Sequence, residues 1–339
     1  MRVQTPHAAY PPGSARARTG VRIAGTAWIG VALLAAAILV SSCAPLPPLL
    51  PPHDALPGDF TIVALPDTQY YSAGRPEIFM AQTRFIVEQR EALNIVAVLH
   101  LGDIVDNAAD ETQWQNAAAA LGVLDGPGDL PYGLCVGNHD EHPSRSPSGT
   151  AVYNRYFPVS RYEGVASWYG GHFGDDNDNH YILFSGGGLD FVAVMMEFEV
   201  GGNADVVAWA DGVLKQHADR RAIVCTHYLM RPFFLDSAFS RQGRAIYEGL
   251  RNNPNLRLMM GGHFCGFGRR SDVFEGRIVH SFLADYQCAP QGGDGWLRLL
   301  RISPARRQIR VQTYSPTRDE YLRDFENEFV WTVDFGLDP

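Results

Sequence analysis

An α/β fold is predicted by three features of this 339-residue chain. From Phe60 onward, short β-rich apolar runs alternate with amphipathic stretches of helical length, the pattern of an α/β domain. Five of six central apolar runs lead directly into a polar cluster, as buried strands with functional loops at their ends do. The C-terminal segment then returns to strand-like runs joined by turns. With 46% hydrophobic and 19% charged residues, the composition supports one large core and excludes a disordered or fibrous protein.

The N-terminal residues stand apart from that fold. Arg2, Arg16, Arg18 and Arg22 precede an apolar run over 23–40, which closes on Val40-Ser41-Ser42-Cys43. Residues 1–43 therefore read as an export signal. Small residues leading into a cysteine resemble the bacterial lipoprotein box, with Cys43 as the lipidated residue. An uncleaved membrane anchor or an ordinary secretory signal are the alternatives for a run of this length. All three place residues 53 onward outside the cytoplasm; the first expects an exported lipoprotein, facing the periplasm or cell exterior and held to the membrane by lipid at Cys43. Residues 44–57 form a Pro-rich linker, and the domain is expected over 58–335.

Within that domain, the runs at 60–65, 95–101, 132–136, 191–196, 221–226 and 256–260 are mostly apolar and read as buried strands. Residues 76–94 space Ile78, Phe79, Phe85, Ile86 and Leu93 at near-helical intervals, with Pro76 suited to a first turn. Helices are expected likewise over 111–124, 204–217 and 242–253, the last stopped by Pro254. The runs at 296–302, 308–314 and 329–335 are expected to complete a second sheet.

Charge and cysteine content narrow the function classes. Without residues 1–42, which hold four arginines and no acid, 24 basic side chains face 37 acidic ones. Such an acidic chain has no footprint for wrapping nucleic acid, and none is expected as a partner. Lys215 is the only lysine, so a phosphate clamp falls to arginine. Cys135 and Cys225 sit in apolar runs and read as buried thiols. Cys265 and Cys288 are the pair to test for a disulfide in an oxidising compartment.

The strand ends carry the chemistry: Pro66-Asp67-Thr68-Gln69, Gly102-Asp103-Ile104-Val105-Asp106-Asn107, Gly137-Asn138-His139-Asp140, Thr226-His227 and Gly261-Gly262-His263-Phe264-Cys265. Open α/β sheets assemble sites at the carboxyl ends of their strands, so these loops can converge on one crevice. Aspartate, asparagine and histidine are metal ligands by type. Two divalent cations about 4 Å apart need a bridging anion, and a strand-end carboxylate such as Asp103 suits that role. His227, His263 and Asn138 can fill further positions without adding charge.

This ordered series resembles the calcineurin-like metallophosphoesterase superfamily over about residues 58–335. The Asp-Thr-Gln opening, Asp285-Tyr286-Gln287 and the run Gly293-Asp294-Gly295-Trp296-Leu297-Arg298 resemble a bacterial secreted branch of it. The resemblance implies a four-layer α-β-β-α sandwich of two mixed β-sheets flanked by helices. It implies a hydrolase of phosphate esters, phosphatase or phosphodiesterase, using two divalent ions from among Mn, Zn, Fe, Mg and Ca. By motif it places Asp67, Gln69 and Asp103 on one ion and Asp103, Asn138, His227 and His263 on the other. It makes metal-activated hydroxide the nucleophile and His139 the acid, oriented by Asp106; the alternative for Asp106 is a helix cap.

Two positions depart from the family pattern. Gln69 stands where histidine is usual, which favours harder ions at the first site. Cys265 replaces the last histidine of Gly-His-x-His, either as a thiolate ligand or as a disulfide partner of Cys288. Gly171-His172 lies before the acidic run 175–179 and reads as solvated loop, while Gly186-Gly187-Gly188 precedes no helix and is no dinucleotide fingerprint. The expected substrate is a small or lipid phosphate ester. A catalytically impaired metal-binding surface protein and an extracellular nuclease are the alternative functions.

Overall fold

The computed structural model describes residues 55–126, 130–143 and 149–336. The expected signal over 1–43 with Cys43, and the linker as far as residue 54, lie outside the described residues.

The first sheet is built from β1 (Phe60–Leu65), β2 (Ile95–His100) and β3 (Tyr132–Leu134) in parallel. The second is built from the middle of the chain: β4 (Tyr169–His172), β5 (His180–Gly186), β6 (Leu189–Met196), β7 (Arg221–Thr226), β8 (Leu256–Gly261), β9 (Gly266–Phe274) and β10 (Arg277–Asp285). Its spatial order is β4-β5-β6-β7-β8-β10-β9, with β6, β7, β8 and β10 parallel. The C-terminal strands β11 (Leu297–Ser303), β12 (Gln308–Ser315), β13 (Glu320–Leu322) and β14 (Glu328–Thr332) do not belong to that second sheet. They extend the first one instead, because β11 pairs antiparallel with the free side of β1, Leu299 opposite Val63. Both sheets are therefore mixed.

Helices cover the outer faces. On the first sheet lie α1 (Gln69–Gly74), α2 (Pro76–Glu88) and α3 (Glu111–Leu121), followed by the short α4 (Ala151–Tyr156). Pro76 opens α2 as expected, and Ile78, Phe79, Phe85 and Ile86 are buried from it. Each such side chain contributes roughly 1.5–3 kcal/mol on burial. Asp110 caps α3 by accepting from the Thr112 N–H at 2.9 Å, so the cap is not Asp106. On the second sheet lie α5 (Ala204–Gln216), capped by Asn203, and α6 (Arg241–Leu250), capped by Ser240. One apolar cluster joins the facing sides of the two sheets to α2 and α3, and a second lies between the second sheet and α5 and α6. The result is a four-layer α-β-β-α arrangement.

Gly171-His172 is strand β4 rather than loop, a four-residue, half-buried edge strand paired with β5. In the acidic run that follows, Asn177, Asp178 and Asn179 are buried and bonded within the protein: Asp178 accepts from Thr150 and Asn154 at 2.6 Å each. Gly187 and Gly188 take positive φ in the tight turn between β5 and β6.

Candidate metal centre

Every parallel strand except β6 and β10 delivers a sequence-predicted ligand at its carboxyl end. Asp67 and Gln69 follow β1, Asp103 follows β2, Asn138 follows β3, His227 follows β7 and His263 follows β8. All are buried except His263, which is partly so. Asp103, His227 and His263 bring ligand atoms within 4.8 Å of one another, the one such His/Cys/Asp/Glu group among the described residues. His227 Nε2 lies 3.0 Å from Asp103 Oδ2 and 3.2 Å from His263 Nδ1. His227 Nδ1 donates to the Leu101 carbonyl at 2.9 Å, which fixes the ring and leaves Nε2 for a cation.

Loop packing holds these groups. The Asp140 carboxylate accepts the N–H groups of Ile104, Val105 and Gly137 at 2.8–3.0 Å, tying the Asp103 loop to the Asn138 loop. Thr68 donates from its backbone to the Asp103 carbonyl and from its hydroxyl to that of Ile104. Asp103 and His263 both have positive φ, 50° and 78°, a conformation that non-glycine residues adopt where the surroundings impose it. A Cβ on Gly137 would meet Asp103 Oδ1 at 2.1 Å, and one on Gly262 would meet Asp67 Oδ1 at 2.1 Å. Only glycine lets the backbone approach these carboxylates so closely.

His139 stands at the rim. Its backbone N–H donates to Asp103 Oδ1 at 2.9 Å, and its Nδ1 faces the Asp106 carbonyl at 2.7 Å and the Asp106 carboxylate at 3.3 Å. Gln113 accepts the N–H groups of Asp106 and Asn107 and so sets that loop. The ring is partly exposed.

Burial governs the electrostatics. It pushes Asp67 well above the ordinary carboxylate range, reinforced by Asp285 and Asp103. Burial also pushes Asp103 up, but His227 and His139 outweigh it and hold that carboxyl below its ordinary value. Burial would lower His227, yet Asp103 and Asp67 raise it to about 10. His100, behind the site, is driven down to about 3 by burial and by His227, and stays neutral as a packed strand histidine.

The residues fit divalent cations. Three buried carboxylates, Asp67, Asp103 and Asp285, share this site with no lysine or arginine beside them in the contacts that shift their titration. Asp67 Oδ1 and Gln69 Oε1 are buried oxygens without a hydrogen-bond donor. Unpaired buried oxygens of this kind cost free energy unless a cation or water meets them.

Cys265 is not available as a thiolate. It forms a disulfide with Cys288, Cα–Cα 5.7 Å, because the loops after β8 and β10 lie side by side. Cys135 and Cys225 remain buried thiols. Asp140, Asp285 and Gln287 are site residues that motif reading did not assign. Asp285 was reachable in principle: it ends a nine-residue run, β10, parallel to β8 and opening on the same edge.

The profile of the calcineurin-like phosphoesterase family matches residues 60–267. The chain belongs to the calcineurin-like phosphoesterase family. By sequence, an uncharacterized protein of Bacillus subtilis strain 168, YvnB, is 38% identical over 293 residues, 83% of this chain. The chain spans about a fifth of that relative's length, 22%. A dimetal phosphatase from Danio rerio shares the fold at TM-score 0.50 and 13% identity, over 81% of this chain and 99% of that one. A purple acid phosphatase from yellow lupin seeds does so at TM-score 0.55 and 12% identity, over 83% and 55%.

Proposed function

We propose that this domain hydrolyses phosphate esters at a centre of two divalent ions, with His139 as the acid. The observation that carries it is the convergence of Asp103, His227 and His263 beside the unpaired oxygens of Asp67 and Gln69, with His139 set on Asp103 at the open rim. Asp103 would serve both groups of ligands. Asn138, His227 and His263 would hold one ion, Asp67 and Gln69 the other. Bound divalent ions supply Lewis acidity, drawing charge from the phosphoryl oxygens and making water a stronger nucleophile.

The chain's own residues do the rest. The ligand set orients the ester for in-line attack, in which a water oxygen bonds to phosphorus as the bond to the leaving oxygen breaks. Protonated His139 gives its Nε2 proton to that leaving oxygen. The Asp106 carboxylate, 3.3 Å from Nδ1, and the Asp106 backbone carbonyl at 2.7 Å orient the ring. A protein that only bound metal would have no use for this pair, which speaks against the impaired binding protein.

The substrate we propose is a small or lipid phosphate ester. Phe234, 72% exposed, stands over Gly266 beside the His263 loop and offers an apolar surface to a leaving group. A nuclease is disfavoured by the acidic chain, and of Arg231, Arg241, Arg269, Arg270 and Arg277, which could line a basic groove, four pair with Asp236, Glu326, Asp272 and Glu275. Export and lipid attachment at Cys43 remain part of the proposal on the signal-like N-terminus.

The test is hydrolysis of an aryl phosphomonoester and an aryl phosphodiester by metal-stripped protein resupplied with Mn, Zn, Fe, Mg or Ca, beside His139→Ala. Metal-restored turnover, reduced roughly 10²–10⁴-fold in the variant when the leaving group is poor, is expected. Metal-loaded, folded protein that turns over neither ester would refute the reading for these ester classes.

A further inference from the structure

With Gln69 in place of a histidine and Cys265 sealed in a disulfide, the Asp67–Gln69 side of the centre has few ligands of its own. The structure brings a further group there. Gln287 follows β10, and its amide meets that of Gln69, its Oε1 against Gln69 Nε2. Its Nε2 end is held by Asp285 Oδ2 at 2.8 Å, while its backbone N–H donates to Asp285 Oδ1 at 2.8 Å. Asp285 is fully buried, so this carboxylate is a fixed clamp. Holding Nε2 on Asp285 turns Oε1 toward Gln69. Gln287 Nε2 also lies 3.5 Å from Asp67 Oδ2 and 3.5 Å from the His263 carbonyl, which puts the amide between the two loops.

We propose that Gln287 Oε1 is a ligand of the ion held by Asp67 and Gln69, that Asp285 is its positioning residue, and that this ion sits in an all-oxygen environment. The inference rests on the two-ion reading above. Independent support comes from the two orphan oxygens, Asp67 Oδ1 and Gln69 Oε1, on side chains 3% and 1% exposed. The Cys265–Cys288 bond has a role in the same device: Cys288 follows Gln287, and Cys265 lies two residues after His263. The cysteine in the histidine's place supplies no ligand atom but staples in the segment that does. Carboxylate and amide oxygens alone select hard ions such as Mg, Ca or Mn, whereas the His227–His263 side also suits Zn or Fe. The two positions therefore differ in ion preference.

Titration of the metal-free chain with Mn(II), followed by calorimetry and electron paramagnetic resonance, tests this without reference to turnover. Unmodified protein is expected to bind two equivalents and give the spectrum of a coupled pair. Gln287→Leu, which keeps the shape and removes the oxygen, should weaken one equivalent roughly 10–100-fold and leave an isolated six-line signal. Gln287→Glu should restore the coupled pair. Asp285→Asn should weaken the same equivalent, as should reduction of the disulfide in unmodified protein, an independent arm if a variant fails to fold. His227→Ala should weaken the other equivalent. Two equivalents at unchanged affinity in both Gln287→Leu and the reduced protein would overturn the inference and leave the two-ion reading intact. Fewer than two equivalents in unmodified protein would overturn that reading and this inference with it.

Discussion

Loading the centre with metal should expel protons, and the structure sets how many. In the metal-free site His227 carries a proton with a pKa raised to about 10, sustained by Asp103 and Asp67 against the opposing effect of burial. A cation at Nε2 must displace that proton, because Nδ1 is already committed to the Leu101 carbonyl. The metal-free protein thus binds more protons than the loaded one, so rising pH favours loading. At pH 7, about three pH units below the His227 value, the displacement costs about 4 kcal/mol. Apparent affinity for the ion at His227 should therefore rise close to tenfold per pH unit from pH 7 and level off near pH 10. Calorimetric titration with Mn(II) at pH 7 in buffers of different ionisation enthalpy reads the released protons directly, and His227→Ala should remove one of them. Heats independent of buffer, with affinity flat from pH 6 to 9, would refute the reasoning.

Two further outcomes follow from specific contacts and one from the N-terminal sequence. Gly262→Ala places a methyl 2.1 Å from Asp67 Oδ1, so the carboxylate must turn away and one equivalent of metal should bind at least roughly tenfold more weakly, read by metal titration; unchanged binding would contradict the close approach. Reducing the Cys265–Cys288 bond, which closes a loop of sequence separation 23, should cost roughly 3 kcal/mol and lower the Tm by several degrees in a thermal melt. An unshifted melt, with the thiols shown to be free, would count against that cross-link. Cys43→Ala should move the protein from the membrane to the soluble fraction in its native host, and a variant still in the membrane fraction would sink lipid attachment at that residue.

Local sequence carried much of this protein's chemistry because buried strands announce themselves. β1 and β7 begin and end where their apolar runs do, and the polar residues that follow are the ones that meet. Helix α2 was equally legible, since Pro76 and a 3.6-residue apolar stripe are local properties. Half-exposed strands were not. β9 carries the consecutive polar residues Arg269, Arg270, Ser271 and Asp272 at the sheet edge, and β4 is only four residues long. Nor can a run of residues say which sheet it will join. The C-terminal strands lie on the first sheet because the side of β1 away from β2 was open to antiparallel pairing, a property of the assembled chain.

The same division runs through the site. Residue types at strand ends single out Asp67, Gln69, Asp103, Asn138, His227 and His263 as candidates, because ligand chemistry is written in single side chains. Whether Cys265 faces a metal or a second sulfur depends on how far it stands from Cys288, and that distance, 5.7 Å between Cα atoms, exists only once β8 and β10 lie parallel. Asp285 and Gln287 join the centre for the same reason: they are remote in sequence from every other member, and it is strand order that brings them to its edge.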